Sequence, residues 1–449
     1  MDRPDSSPPR PVPRQVWNST GWLVLGRLWG STCTLVTLYV LSRHLDTSQF
    51  GRFTFYLALF LILDSFVDLG TGQVTVRWTA PDPGRLRPVL TAARRVRMAT
   101  ASLGLVAVGL LTWGLDEEGA GWILLAALYP LTHTLELTTT VLKNHISWAR
   151  VVLVRTIAAT SSLTLVLCAV AGGVSSPAPF LLAVAGGSTL GNVILHLVSR
   201  GYLPPAKPHS KPESALRLLR EAIPIGLAGL CQQTYFWIDN AFVRPICGQE
   251  ELGRYNLAVR LMSFGIMAAV YAAMASLPWL TREHNAGRLG PAVARLAAPM
   301  FLIGGLATGT VWGLPEPILG LFGEGASFTS AAPALRWLML GGLAVYAGAP
   351  LLTALVASGS SSAVLRIAAI GLFINLLGNS LLVPRMGIEG AALATLVTEA
   401  WVVLGAAATL VKMGARPTVP GKAWLWLGGP LGFALGYGLS LWARSVLSG

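Results

Sequence analysis

EELGRYNLAVRLM, residues 250–262, has a partner two hundred positions earlier in SQFGRFTFYLALF, residues 48–60. Gly253-Arg254-Tyr255 repeats Gly51-Arg52-Phe53, and each triplet opens a long apolar run. Further along, VVLVRTIAATSSLTLVL at 151–167 is echoed by AVLRIAAIGLFINLLGN at 363–379. The two echoes share an offset of about 202–211 residues, which is the mark of an internal duplication.

The composition says where such a duplication lives. Of 449 residues, 53% are hydrophobic and only 12% are charged, with a mean hydropathy of +0.61. A soluble domain carries about 25% charged residues. Apolar runs of spanning length recur over the whole chain. We place thirteen spans at 17–41, 53–77, 98–115, 120–142, 151–172, 178–199, 222–246, 255–280, 292–314, 334–357, 364–384, 388–411 and 423–445. The expected fold is all-α: a polytopic membrane protein of two parallel-repeat six-helix bundles around a central cavity, plus at least one extra C-terminal helix. Residues 1–15 read as a disordered cytoplasmic N-terminus, 16–200 as the first lobe and 201–221 as a cytoplasmic linker. Residues 222–412 read as the second lobe and 413–449 as an extra membrane segment. Five glycines and a proline in 423–445 point to a tilted, broken or partly inserted last segment.

The net charge is +13, yet the basic residues gather in loops on one side. Arg85, Arg87, Arg94, Arg95 and Arg97 crowd the loop at 78–97, and Arg200, Lys207, Lys211, Arg217 and Arg220 the linker. Asp116, Glu117, Glu118, Glu250, Glu251, Glu316 and Glu324 mark the opposite loops. This asymmetry sets a cytoplasmic N-terminus and excludes nucleic acid as the reason for the charge. The basic segment at 85–97 also suits anionic lipid headgroups. Cys33, Cys168, Cys231 and Cys247 form no CxxC pair, so no disulfide or metal site is expected. No cofactor is expected. GxSxG, HExxH and Walker A motifs are absent, as is any long soluble loop that could house catalysis or nucleotide hydrolysis, which leaves secondary transport.

Ionisable residues inside spans are few, and each costs about 2.5–3.5 kcal/mol near the bilayer centre. Arg27 lies some ten residues into the first span, ~15 Å deep. Arg260 lies inside the eighth. Asp64 and Asp68 share one face of the second. His133 and Glu136 sit in the fourth, Asp239 in the seventh and Glu399 in the twelfth. In one reading Arg260 neutralises Asp239, and Arg27 neutralises Asp64 or Asp68. In the other, Arg27 and Arg260 face a water-filled cavity and bind an anion through their planar forks, with Asp64, Asp68, Asp239, Glu399 and Glu136 as cavity or coupling groups. Asp68 also suits a local turn in FVDLGTGQ, residues 66–73. Arg155 and Arg336, near span ends, are placed to snorkel.

LSRHLDTSQFGRFTFYLALFLILDSFVDLGTG resembles the first helical pair of the polysaccharide biosynthesis flippases. YFWIDNAFVRPICGQEELGRYNLAVRL is similar to their seventh and eighth helices, ILGLFGEGASFTSAAPALRWL to the segment before the tenth, and NLLGNSLLVPRMGIEGAALATLVTE to a later signature. The resemblance is to the multidrug/oligosaccharidyl-lipid/polysaccharide exporter superfamily, in its O-antigen or exopolysaccharide branch. It implies flipping of undecaprenyl-diphosphate-linked oligosaccharide across a bacterial plasma membrane, with Arg260 and Arg27 as diphosphate contacts. It also implies polysaccharide polymerase and glycosyltransferases as partners. The alternatives are a drug exporter of the same superfamily, a lipid II flippase, and a non-transporting scaffold for glycosyltransferases.

Overall fold

The computed structural model describes residues 14–79, 83–115, 119–144, 148–203, 213–323, 327–417 and 427–447. The acidic loop at 116–118 and the linker residues 204–212, on which part of the topology reading rests, lie outside them. The chain is all-α. Its first bundle is α1 (Arg14–His44), α2 (Thr47–Asp68) continued by α3 (Thr71–Thr79), α4 (Leu86–Gly114), the short pieces α5 (Ala120–Ala126), α6 (Tyr129–Glu136) and α7 (Thr140–Asn144), α8 (Trp148–Ala171) and α9 (Pro177–Arg200). The second is α10 (Ala215–Trp237), α11 (Asp239–Asn285), α12 (Leu289–Gly313), the short α13 (Pro315–Gly320), α14 (Ala332–Ala357), α15 (Ser361–Met386) and α16 (Ile388–Lys412). One further helix, α17 (Gly428–Leu447), follows.

The packing repeats with the sequence. In the first bundle α1 lies on α8, α8 on α9, α6 on α9 and α4 on α6. In the second, α10 lies on α15, α15 on α16, α14 on α16 and α12 on α14. The second bundle merges two helices in α11, which turn at Gly248 through φ 87°, a conformation that glycine adopts without strain. Among the described residues, nine helical segments are long and apolar enough to span; one of them, Ala215–Leu277, takes in both the seventh and eighth expected spans. Outward faces are apolar, as lipid requires: Leu103, Val106, Leu110 and Trp113 form such a stripe on α4.

The bundles meet where the repeated triplet lies. A Cβ on Gly51 would fall on the carbonyl oxygen of Gln249, and one on Gly253 would fall on that of Thr47. The contact is reciprocal, so α2 and α11 cross on a pseudo-two-fold axis. Asn256 donates to Thr54 Oγ1 at 3.0 Å across the same crossing. At the other end of α2, Gly70 packs on the Ala222 carbonyl, with no room for a side chain. There Arg77 pairs with Glu221, Trp78 Nε1 donates to the same carboxylate at 3.0 Å, and Arg85 binds Glu213 at 2.6 Å.

Three expected elements differ, the second span first: it turns at Leu69 and Gly70, both at positive φ, between α2 and α3. The fourth span, expected as one helix over 120–142, is broken into α5, α6, a 3-10 turn at Leu137–Thr139 and α7. Its carbonyls are met from outside: Arg97 Nη1 donates to His133 O at 2.7 Å and Arg94 Nε to Thr134 O at 3.3 Å. A broken helix at membrane depth is tolerated where protein supplies such partners. The last segment, expected to be tilted, broken or partly inserted, is unbroken from Gly428 to Leu447. Its glycines serve contact instead. Gly432 and Gly436 lie on the carbonyls of Leu302 and Leu306, while Gly305 and Gly309 of α12 lie on those of Gly429 and Phe433.

Candidate functional site: a cavity between the bundles

α11 belongs to the second bundle, but Arg260 on it reaches into the first. It lines a cavity of about 440 Å³ whose other walls come from α1, α2, α8 and α9, including Thr34, Thr37, Arg155, Ser162 and Ser188. Arg260 is 8% exposed, and its guanidinium carbon lies 4.2 Å from the centre of the Trp237 ring. Its Nε and Nη2 are buried without a hydrogen-bond partner among the described residues. A desolvated cation–π contact offsets about 2 kcal/mol or more of the burial cost but makes no hydrogen bond to Nε or Nη2. Each unmade bond to a buried charged group costs at least about 1–3 kcal/mol. Arg260 therefore keeps, beside the cavity it lines, two buried donors that the surrounding residues do not satisfy.

Asp239 does not satisfy them. No ion pair joins it to Arg260 among the described residues. Asp239, 1% exposed, accepts from Asn379 Nδ2 at 2.7 Å, from Thr395 Oγ1 at 2.9 Å and from the Tyr255 hydroxyl. Three neutral donors hold the carboxylate inside the second bundle, so the expected neutralising pair is replaced by a hydrogen-bonded cluster. Glu399, 5% exposed, faces a separate apolar cavity of about 430 Å³ beside Tyr235, Phe236, Met274 and Leu352. Tyr235 hydrogen-bonds it there.

Asp64 and Asp68 do share a face. Together with Arg97, His133 and Glu136 they line a polar cavity of about 450 Å³. Asp68 both closes the local turn, accepting from Gly72 N at 3.2 Å, and pairs with Arg97. His133 Nε2 lies 3.5 Å from Asp64 Oδ1. Among the described residues, Arg97 and His133 are the basic partners of these two carboxylates. The backbone of Arg27 is helical, between the cavity-lining Gly26 and Gly30, and its side chain lies outside the described residues.

Three arginines stand elsewhere than expected. Arg97, counted with a basic loop, is in α4 and 5% exposed. The apolar pattern starting at 98 hid it: the helix extends three turns further back and carries Arg97 inward, while Arg87 and Arg95 stay exposed. Arg155, placed by its position to snorkel, is held by side chains: Nη2 meets Glu136 Oε1 at 2.7 Å and Nη1 donates to Asn192 Oδ1 at 3.2 Å. Arg336 binds Glu316 at 2.9 Å, and Arg444 of α17 binds the other oxygen of that carboxylate at 3.1 Å. Asn192, Asn375 and Asn379 are wholly buried polar residues with no charge to mark them in the sequence. Buried asparagines within apolar runs were the available signal.

The family model for "Polysaccharide biosynthesis protein" matches residues 16–284, and that for MatE matches residues 224–381. No curated protein matches the chain by sequence. Among solved structures, a lipid II flippase, MurJ, in an inward closed conformation superposes with a TM-score of 0.72 at 12% identity, over 94% of this chain and 99% of that one. An inward-facing multidrug resistance MATE family transporter of the MOP superfamily gives 0.69 at 14% identity, over 86% and 95%. A mutant of the Vibrio cholerae MATE transporter VcmN gives 0.64 at 14% identity, over 90% and 98%. At these identities the likeness is one of fold.

Proposed function

The chain belongs to the polysaccharide biosynthesis protein family of the multidrug/oligosaccharidyl-lipid/polysaccharide exporter superfamily, and on that basis we propose that it is a flippase for a lipid-linked oligosaccharide. The substrate is an undecaprenyl-diphosphate-linked glycan, moved from the inner to the outer leaflet of a bacterial plasma membrane for cell-surface polysaccharide synthesis. The observation that carries this reading is the Arg260 guanidinium, buried in an inter-bundle cavity with two nitrogens unpartnered.

A diphosphate cannot enter hydrocarbon without its water unless cations replace that water. A guanidinium does so with two parallel charge-assisted bonds. Threonine and serine hydroxyls on α1, α8 and α9 offer a polar wall to the first sugars. The prenyl chain stays in lipid throughout. Arg27, by its place on α1 between Gly26 and Gly30, is a candidate contact for the glycan-bearing end of the same substrate. Asp239, Glu399 and the Asp64–Asp68–Glu136 group are the candidates for ion coupling. A drug exporter, which takes cations, fits the apolar cavity at Glu399 but not the one at Arg260. A lipid II flippase would use the same diphosphate chemistry.

The test is genetic. Deletion should accumulate an undecaprenyl-diphosphate oligosaccharide on the cytoplasmic leaflet and abolish the exported polymer. Complementation with wild type should restore export, and Arg260→Ala, at equal protein abundance, should not. Normal polymer in the deletion strain would reject the assignment.

A further inference from the structure

Arg155 shares the Arg260 cavity but is not free in it. Its guanidinium is held at both ends, by Glu136 at 2.7 Å and by Asn192 at 3.2 Å. Asn192 is fully buried and donates in turn to Thr132 Oγ1 at 3.0 Å. Thr132 and Glu136 both belong to α6, the middle piece of the broken fourth span. The pair also straddles two compartments. Arg155 lines the cavity with Arg260, whereas Glu136 lines the neighbouring one with Asp64, Asp68, His133 and Arg97.

Such a pair is easily exchanged. The side chains of Arg155 and Glu136 keep 38% and 24% of their surface exposed, and partly solvated ion pairs are weak. A phosphate oxygen pair offers the same guanidinium a bidentate, charge-assisted alternative. Arg155 comes from α8 of the first bundle and Arg260 from α11 of the second. A monophosphate needs one such cation, and a diphosphate presents two phosphoryl groups.

We propose that Arg155 is the second phosphate-binding residue of this cavity and the one that selects diphosphate over monophosphate, by leaving Glu136 for the substrate. This rests on the reading of Arg260 as a lipid-phosphate contact. Binding then releases Glu136 on α6 from Arg155, so occupancy of the cavity is sensed by the span that is divided into three short helices. Asn192 is a positioning residue: it holds the guanidinium at the cavity edge while its partner changes.

The experiment uses full-length protein in lipid nanodiscs, with undecaprenyl monophosphate and undecaprenyl diphosphate as probes. Wild type should prefer the diphosphate by about tenfold or more, the worth of one further charge-assisted contact. Arg155→Ala should reduce that preference to about twofold or less while keeping monophosphate affinity. Glu136→Gln should tighten diphosphate binding several-fold, because Arg155 loses its competitor; a purely structural ion pair would give weaker binding or no change. A preserved diphosphate preference in Arg155→Ala overturns the proposal, provided that Arg260→Ala weakens both lipids. If Arg155→Ala does not accumulate, Glu136→Gln decides: tighter binding supports the exchange and unchanged or weaker binding rejects it. Binding of neither lipid by wild type, or of both unchanged by Arg260→Ala, fails the underlying flippase reading instead.

Discussion

Arg260 and Asp239 lie on the two helices merged in α11, on either side of Gly248, and have separate environments. The arginine is stacked on Trp237 at the cavity, while the aspartate accepts from Tyr255, Asn379 and Thr395 inside the second bundle. Removal of either should therefore be felt independently. Asp239→Ala strands the buried Tyr255 and Thr395 hydroxyls, at about 1–3 kcal/mol each before relaxation, while Asn379 Nδ2 keeps its bond to the Asn375 carbonyl at 2.9 Å. It should lower thermal stability, and Arg260→Ala should not rescue it. The double-mutant coupling should stay within about 0.5 kcal/mol, as for residues that share no partner. Recovery of stability in the double mutant would show a hidden pair. Arg260→Lys should restore export only in part, since a point charge replaces a planar fork. The identity of Arg260 and Asp239 as unusual residues was legible from the insertion cost alone. Their separation was not, because two opposite charges twenty-one positions apart in apolar sequence suggest a pair until buried neutral donors are known.

At the scale of elements, the repeated triplet carried the most information, for a reason that the structure makes physical. Gly51 and Gly253 recur because both sit on the axis where α2 and α11 cross backbone to backbone. Gly51→Val or Gly253→Val should force these helices apart and cost about 1–3 kcal/mol or more, read as reduced accumulation and a lowered melting temperature. Valine at either position without loss of stability would remove the axis from its place. The fourth span shows the limit of hydropathy. Residues 120–142 are apolar enough for one helix, and nothing local marks the 3-10 turn at Leu137–Thr139. The break is sustained by donors forty residues away, Arg94 and Arg97, which no periodicity reports. In α17 the same glycines that suggest a breaker in isolation become a contact face once α12 supplies a matching one.

For the whole molecule, the bundles touch at both ends of α2. Gly51 and Gly253 close one end, and Gly70 with the pairs Arg77–Glu221 and Arg85–Glu213 closes the other. The Arg260 cavity lies between. Cys33, 4% exposed, lines it and reports on access. In a chain whose other cysteines are replaced by alanine, Glu221→Gln with Glu213→Gln should raise the labelling rate of Cys33 by a soluble maleimide several-fold. An unchanged rate would mean that these pairs do not hold the end closed. Two bundles and their order could be read from sequence, since duplication and hydropathy are properties of the chain. Closure at both ends could not, because it depends on arginines of α3 and of the turn before α4 meeting carboxylates at the start of α10.

The central claim is that lipid-linked diphosphate crosses the membrane past Arg260. Its most direct measurement is transport by the purified protein in proteoliposomes, scored as the rate at which an undecaprenyl-diphosphate oligosaccharide becomes accessible to an enzyme on the far leaflet. The account predicts movement by wild type, none above the protein-free rate by Arg260→Ala reconstituted to the same density, and partial movement by Arg260→Lys. Equal rates for wild type and Arg260→Ala would contradict it.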